Sequence, residues 1–367
     1  MHGGHSLERV ARWRYAVIAA VSLAAGVVSG GRGDWDEFVG AGRAMFGSAG
    51  LHVYEQFHEV QTGPLSLFLA WLFSYTPRDG FVVAAIVCAA LGLISVRVHE
   101  LTSRPSPSDT RFELLVLLGG CLTAFTWAKL GGYGHLDDAL TLTAAVVALY
   151  QIRAGRPMAA AVAIGIAVAC KPWGVIFLPL TLATRPRDLR APIVAGAVAA
   201  AAWLPFIIGA PNSLKALRPT VNVASDSVLA LFGVTTDSMP DWMRVAQLLA
   251  CLAVAIVLAL KHRPESIIAA AIAVRIGTDP ATWSYYTPGL VIGVLVWDLL
   301  DRRKFPWATL AVVLGLAPTW LVSSDTARGV LRLGVAVGVV VWAFCRPSER
   351  APSAYPLRPS WDPAAVD

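Results

Sequence analysis

Charge is scarce in this chain: 15% of its 367 residues are Asp, Glu, Lys or Arg, while 56% are hydrophobic and the mean hydropathy is +0.61. No water-soluble domain of this length needs that much apolar surface, which excludes a soluble globular enzyme. Cysteine is sparse too. Cys88, Cys121, Cys170, Cys251 and Cys345 are scattered along apolar runs with no paired spacing. That excludes a disulfide framework or a zinc knuckle and leaves them as small packing residues. No small-residue cleavage pattern follows the first apolar run, so it reads as an uncleaved anchor rather than a signal peptide. No internal repeat relates the two halves of the chain.

What the chain has in abundance is long apolar runs. A spanning helix needs roughly 17 to 25 mostly apolar residues. Candidate runs are Tyr15 to Gly30, Phe81 to Val96, Leu114 to Trp127, Ala139 to Ile152, Met158 to Ala169 and Trp173 to Ala183. Further runs are Ile193 to Ile208, Val245 to Leu260, Ile267 to Val274, Trp283 to Trp297, Trp307 to Val322 and Val330 to Cys345. They predict an all-α polytopic membrane protein of about 12 transmembrane helices. It forms a single domain over residues 1–345, with a Pro- and Ser-rich, disordered cytoplasmic tail over 346–367.

The formal charge of +6 does not mark a nucleic-acid binder, because most Lys and Arg sit in short connectors instead of along one helix face. The positive-inside rule accounts for them. With Arg9 to Arg14, Arg97 to Arg111, Arg153 to Arg156, Arg185 to Arg190, Lys261 to Arg263 and Arg302 to Lys304 on the cytoplasmic side, the crossings alternate. Both termini are then cytoplasmic. The alternation closes if Gly63 to Tyr75, an apolar stretch opened by Gly-Pro, enters or lies along the membrane without crossing it.

On this topology nearly every misplaced polar group falls on the non-cytoplasmic side. The first connection, residues 31 to 63, is net acidic and too long for a tight turn. Its apolar residues, among them Phe38, Val39, Met45 and Phe46, suit a short amphipathic helix at the interface. Asp34, Asp36 and Glu37 are either a solvated helix end or a functional acid patch. Asp137 and Asp138 open an apolar run, where a carboxylate is a helix cap or a functional group. His135, alone a structural residue, gains a claim to substrate contact beside them.

Lys171 lies within the apolar stretch Ala159 to Leu182 and must pair, snorkel or meet a ligand; Pro172 predicts a helix break at that point. Arg275 stands near Asp279, as an internal ion pair or an anion ligand. Trp283, Ser284, Tyr285 and Tyr286 form either an interfacial aromatic belt or a wall for a sugar or lipid head group. Sugar transfer from a lipid phosphate uses all of these parts. It needs a carboxylate base for the acceptor hydroxyl, cations for the leaving phosphate and a groove for the lipid chain.

Asp34 after the first run, Gly47 to Tyr54, Gly63-Pro64, Gly134-His135-Leu136-Asp137-Asp138, Ala169-Cys170-Lys171-Pro172-Trp173 and Trp283-Ser284-Tyr285-Tyr286 occur in an order that resembles the GT-C class of integral-membrane glycosyltransferases. Within it, the chain looks like the polyprenol-phosphate-sugar-dependent enzymes of glycosyltransferase family 87, of actinobacterial type. The resemblance implies a multi-pass protein of the bacterial plasma membrane. It also implies inverting transfer of mannose or arabinofuranose from a polyprenyl-phosphate donor to a cell-envelope lipid or glycan acceptor. By the same resemblance Asp34 is the catalytic base, in preference to Asp36. His135, Asp137 and Asp138 line the cavity, and Lys171 and Arg275 hold the donor phosphate. Trp173 belongs to the same motif as Lys171, and Trp283, Tyr285 and Tyr286 flank the donor sugar or the first prenyl units. The family more often has Tyr at the position of Phe38 and a second Pro near Gly63-Pro64. Asp34-Trp35-Asp36 has the form of a metal-binding acid pair, but a lipid-phosphate donor has no nucleotide diphosphate to neutralise, so neither metal nor other cofactor is expected. About twelve helices with buried charges also describe a secondary transporter or a lipid-linked-sugar flippase; the missing repeat and the gathering of polar residues at one face favour the enzyme.

Overall fold

The computed structural model describes residues 11–29, 33–75, 80–103, 109–184, 187–213, 221–234, 239–316 and 321–346. The expected cytoplasmic tail lies, but for Arg346, outside them. All regular structure among the described residues is helical. Each of the twelve apolar runs coincides at least in part with a helix, and five helices are long and apolar enough to cross a membrane. These five are α5 (Gly80–Ser103), α6 (Thr110–Tyr133), α9 (Arg190–Gly209), α11 (Asp241–Leu260) and α15 (Asp325–Cys345). Their outer faces carry large apolar side chains in the open, including Ile86, Ile193, Ile208, Val245, Leu249 and Val341. A belt of that kind is stable against lipid and not against water.

Between and around them run α1 (Arg14–Ser29), α2 (Trp35–Met45), the short α3 (Val53–Gln56), α4 (Pro64–Phe73), α7 (Leu136–Arg153) and α8 (Pro157–Cys170). The remainder are α10 (Val228–Leu231), α12 (Pro264–Thr278), α13 (Thr287–Leu300) and α14 (Trp307–Leu316). The centre is the pair α12 and α13, where Ile267 through Ala273 and Pro288 through Leu300 are buried. Small residues let them approach: a Cβ on Gly293 would meet the Ala269 backbone at 2.8 Å. Buried indoles add directional contacts, as Trp127 Nε1 donates to the Cys88 carbonyl at 2.8 Å and Trp297 Nε1 to that of Glu265 at 3.1 Å.

Three local features position the site. The first connection folds as α2, whose inward face holds Trp35, Phe38 and Ala41, the amphipathic helix expected there. The Gly63 to Tyr75 stretch is α4, ten residues or about 15 Å, half the hydrocarbon thickness, packed against α2 and α8. Finally, α8 stops at Cys170, Lys171 is extended with φ −154° and ψ 131°, and Pro172–Leu182 returns as a 3₁₀ helix. Pro172 lacks the N–H an α-helix needs and disfavours helical backbone at Lys171. The chain turns back on itself there, with Gly174 set closely against Ala167.

Candidate active site

Five charged side chains meet at the end of the bundle where α6 hands over to α7. Gly134, in the left-handed region at φ 76°, closes α6 and sends the chain directly into α7. His135 sits at the N-cap of α7, and Asp137 and Asp138 occupy its first turn, where a helix dipole favours carboxylates. The Lys171 ammonium comes from the α8 break and lies 2.7 Å from Asp137 Oδ2 and 2.8 Å from Asp138 Oδ2. On the other side, Trp173 Nε1 donates to Asp138 Oδ1 at 3.0 Å. Four of the five charges are almost wholly enclosed.

His135 stands among three carboxylates. Its Nε2 is 3.2 Å from Asp34 Oδ2, while its Nδ1 is 3.2 Å from Asp138 Oδ2 and 3.5 Å from Asp137 Oδ1. Neither nitrogen is well aligned with any one of them, but all three carboxylates lie within 3.5 Å of the ring nitrogens. Burial alone would lower the imidazole pKa; the carboxylates of Asp137, Asp138 and Asp34 overcome it and raise it to about 10, despite the opposing Lys171 charge. His135 is therefore an imidazolium at neutral pH. The ring is fixed by stacking on Tyr285, centroids 3.8 Å apart, and by the edge of Phe38 at 5.8 Å.

Asp34 is the open member: its side chain is 50% exposed against 4% for His135. It is placed by Gly33, whose φ is +45° and where any Cβ would collide with the Tyr133 carbonyl. Only glycine permits that approach of the loop to the end of α6. A second glycine works similarly at α4. Gly63 N–H donates to the Cys170 carbonyl at 2.7 Å, Ser66 Oγ donates to the same oxygen at 3.0 Å, and a Cβ on Gly63 would fall on the Ala169 carbonyl. The Gly63-Pro64 turn thus braces the strand-like Lys171 from behind.

An aromatic wall flanks the cluster. Tyr285 stacks with Trp283 at 6.0 Å and meets Tyr286 edge-on at 5.0 Å, and Trp283 is exposed. Arg275 lies between the faces of Trp173, 4.4 Å away, and Tyr286, 4.6 Å away, with Asp279 at 3.6 Å. Burial pushes the Asp279 pKa upward against the nearby Arg275 and Arg244 charges.

The structure brings together Asp34, His135, Asp137, Asp138, Lys171, Trp173, Arg275, Trp283, Tyr285 and Tyr286. Asp36 is exposed in the first turn of α2 and pairs with none of them among the described residues. His135, Asp137 and Asp138 place one ligand atom each within 4.8 Å of one another, a donor set for a metal ion, but the Lys171 ammonium already lies against both carboxylates. Sequence reasoning missed Arg244, Gln247 and Gln61, which line a cavity of about 400 Å³ beside Trp173 and Arg275. The signal for Arg244 was its place at the mouth of an apolar run, the same logic that marks Lys171. No protein-family model matches the chain, and no curated protein or solved structure matches it.

Proposed function

We propose that this chain is an inverting, polyprenyl-phosphate-sugar-dependent glycosyltransferase of the bacterial plasma membrane. Its GT-C-like body has about 12 crossings and both termini in the cytoplasm. The observation that carries the reading is the half-exposed Asp34 carboxylate held against a buried charge cluster, beside an aromatic wall and a caged arginine.

The chemistry follows from which atoms are free. Asp34 Oδ2 faces the His135 imidazolium, leaving Oδ1 to accept the proton of an acceptor hydroxyl. As that O–H bond breaks, the hydroxyl oxygen bonds to the anomeric carbon from the face opposite the phosphate. The carbon–oxygen bond to phosphate breaks with its electron pair going to the polyprenyl phosphate. Lys171 is engaged by Asp137 and Asp138 and serves to hold the floor of the site; Arg275 is the cation placed to stabilise the departing phosphate. Trp283 and Tyr285 offer flat faces to a sugar ring, and mannose and arabinofuranose both fit the reading. The acceptor is a cell-envelope lipid or glycan.

The test is transfer of radiolabelled sugar from polyprenyl-phosphate donors by the purified chain. Asp34→Asn should reduce turnover by about 10²- to 10⁴-fold, the usual contribution of a general base, with donor affinity nearly unchanged. An equally active Asp34→Asn removes Asp34 as the base. Absence of transfer by the wild type with every donor would shift the reading to a secondary transporter or lipid-linked-sugar flippase, measured as flux across proteoliposomes.

A further inference from the structure

At the end of α13 away from Tyr286, 14 residues or about 21 Å along the helix, lies a second cavity of about 610 Å³ that the transfer chemistry does not use. Asp301, Arg303 and Arg346 form its polar wall, and the α15 face of Gly338, Val341 and Trp342 its apolar one. The charges do not balance. Among the described residues Asp301 is the one carboxylate lining it, and two guanidinium groups share it. Arg303 Nη2 lies 3.0 Å from Asp301 Oδ2, while Arg346 Nη2 pairs with Oδ1. Asp298, one turn earlier, is taken up by α14: its Oδ1 accepts from the Ala308 N–H at 3.1 Å, and its Oδ2 from the Thr309 N–H and hydroxyl at 2.7 Å each. Arg302 and Lys304, exposed on either side of Arg303 in the chain, add further positive charge.

Arg346 is 7% exposed, and its Nη1 is buried without a hydrogen-bond partner among the described residues. A guanidinium stripped of water with one end unmet is costly unless an acceptor oxygen arrives from outside. Both arginines are held ready by indoles. Arg346 lies 5.9 Å from the Trp297 ring, Trp297 stacks on Trp342 with centroids 6.0 Å apart, and Arg303 lies 5.2 Å from the Trp342 ring. From this cavity an apolar groove runs along the outer face of α15. Gly334 and Gly338, one turn apart, have open space where a Cβ would stand, and Val330, Val337 and Val341 around them are each just over half exposed.

A glycine-notched helix face in a membrane accommodates either a second helix or a lipid chain. Charge decides between them. A second copy packed alongside in the same orientation would bring its own Arg302, Arg303, Lys304 and Arg346 to the same end, whereas an anionic headgroup meets the surplus. We infer that the cavity and groove form a binding site for an anionic phospholipid: its phosphate oxygens accept from Arg346 Nη1 and from Arg303, and an acyl chain runs along α15 past Gly338 toward Gly334. Bound there, the lipid ties the α13–α14 connection to the end of α15. The site stands on this geometry and not on the transferase reading; only its assignment to the cytoplasmic leaflet follows from the proposed topology.

The test counts lipids retained by the full-length protein in native mass spectrometry, after release from micelles containing equal parts of phosphatidylglycerol and phosphatidylcholine with the same acyl chains. Wild type should retain phosphatidylglycerol in about tenfold excess. Arg346→Gln should reduce that excess about fivefold, the usual weight of one basic side chain against an anionic lipid. Gly338→Leu, which fills open space and leaves every charge in place, should weaken retention of both lipids with thermal stability unchanged. Glycerol phosphate, the headgroup without its chains, should compete poorly. The proposal is overturned if wild type shows no preference, if a folded Arg346→Gln keeps the preference in full, or if Gly338→Leu retains both lipids undiminished. Displacement of the lipid by an equal concentration of glycerol phosphate overturns it too, and makes this a site for a free anion. If Arg346→Gln does not fold, Arg303→Gln, whose side chain is 35% exposed, takes its place with the same reading. A dimer that Gly338→Leu dissociates, without any lipid preference, assigns the face to a second copy instead. Sugar transfer by Gly338→Leu should equal that of the wild type, so the fate of this site and that of the transferase are read separately.

Discussion

Two charge clusters occupy opposite ends of the bundle, and their difference separates structural from chemical use of buried charge. At the far end of α6 from His135, a distance of about 36 Å for its 24 residues, Arg14, Arg97 and Tyr15 surround Glu100. Arg14 Nη2 is 2.9 Å from Glu100 Oε1, Arg97 Nη1 is 3.0 Å from Oε2, and the Tyr15 hydroxyl donates to Oε2 as well. Arg14 also reaches Glu113 at 3.3 Å. Both oxygens of Glu100 are met, Arg14 Nε being the one side-chain atom of these four residues buried without a partner among the described residues, and the result joins α1, α5 and α6. At the His135 end the groups are as buried, yet both imidazole nitrogens and Asp137 Oδ2 lack aligned hydrogen bonds, Asp34 stands half in the open, and aromatic rings form the border. A carboxylate met on both oxygens fastens helices; incompletely satisfied charges beside an opening leave capacity for a substrate.

The contrast can be broken most forcefully at Lys171. Replacing it by Met leaves Asp137 and Asp138 buried with His135 as their remaining cation, and should cost about 3–5 kcal/mol, the usual effect of removing one partner from a buried pair. Thermal unfolding in detergent measures the loss, and whatever folds should transfer no sugar. Glu100→Gln should cost less, near the lower end of that range of about 3–5 kcal/mol, because Arg97 is 41% exposed and regains water. Its activity per folded molecule should equal the wild type; a loss of turnover there would show that the two ends are coupled. The third test is in pH. The His135 pKa is raised above its ordinary value, so the stability its charge contributes is complete below about 6.5 and disappears as pH rises through about 10. The stability gap between wild type and His135→Gln should stay constant from pH 5 to 6 and close above pH 10, and a gap that closes near pH 7 would mean the ring is neutral in the folded protein.

Much of this arrangement is legible along the chain because its causes are local. Pro172 forbids continuation of α8, so the break at Lys171 follows from one residue. The apolar residues of the first connection, among them Phe38, Val39, Met45 and Phe46, mark α2, and apolar runs mark the helices that follow. The juxtaposition of Gly63 with Cys170, more than a hundred residues apart, has no such local cause and emerges only when α4 packs on α8. The same holds for Trp173, whose role as donor to Asp138 depends on the path of the returning segment, and for the Arg244 cavity, which exists only between α11, α12 and the 3₁₀ helix. His99 and Glu100 fall, by sequence, in the basic connector Arg97 to Arg111 beyond the run that ends at Val96, whereas the helix continues to Ser103; their complete burial is a consequence of neighbours from elsewhere in the chain.

The 3₁₀ winding of Pro172–Leu182 also sets a length. At about 2.0 Å per residue its 11 residues reach about 22 Å, whereas α8 covers about 21 Å with 14 residues at about 1.5 Å each. The two segments on either side of Lys171 are therefore nearly equal in length although one has three residues fewer. Wound as an α-helix, the return leg would measure about 16 Å, and its far end would be drawn some 5 Å toward Lys171. Tight coiling thus acts as a spacer: it lets a short stretch of chain match the reach of the longer helix before it.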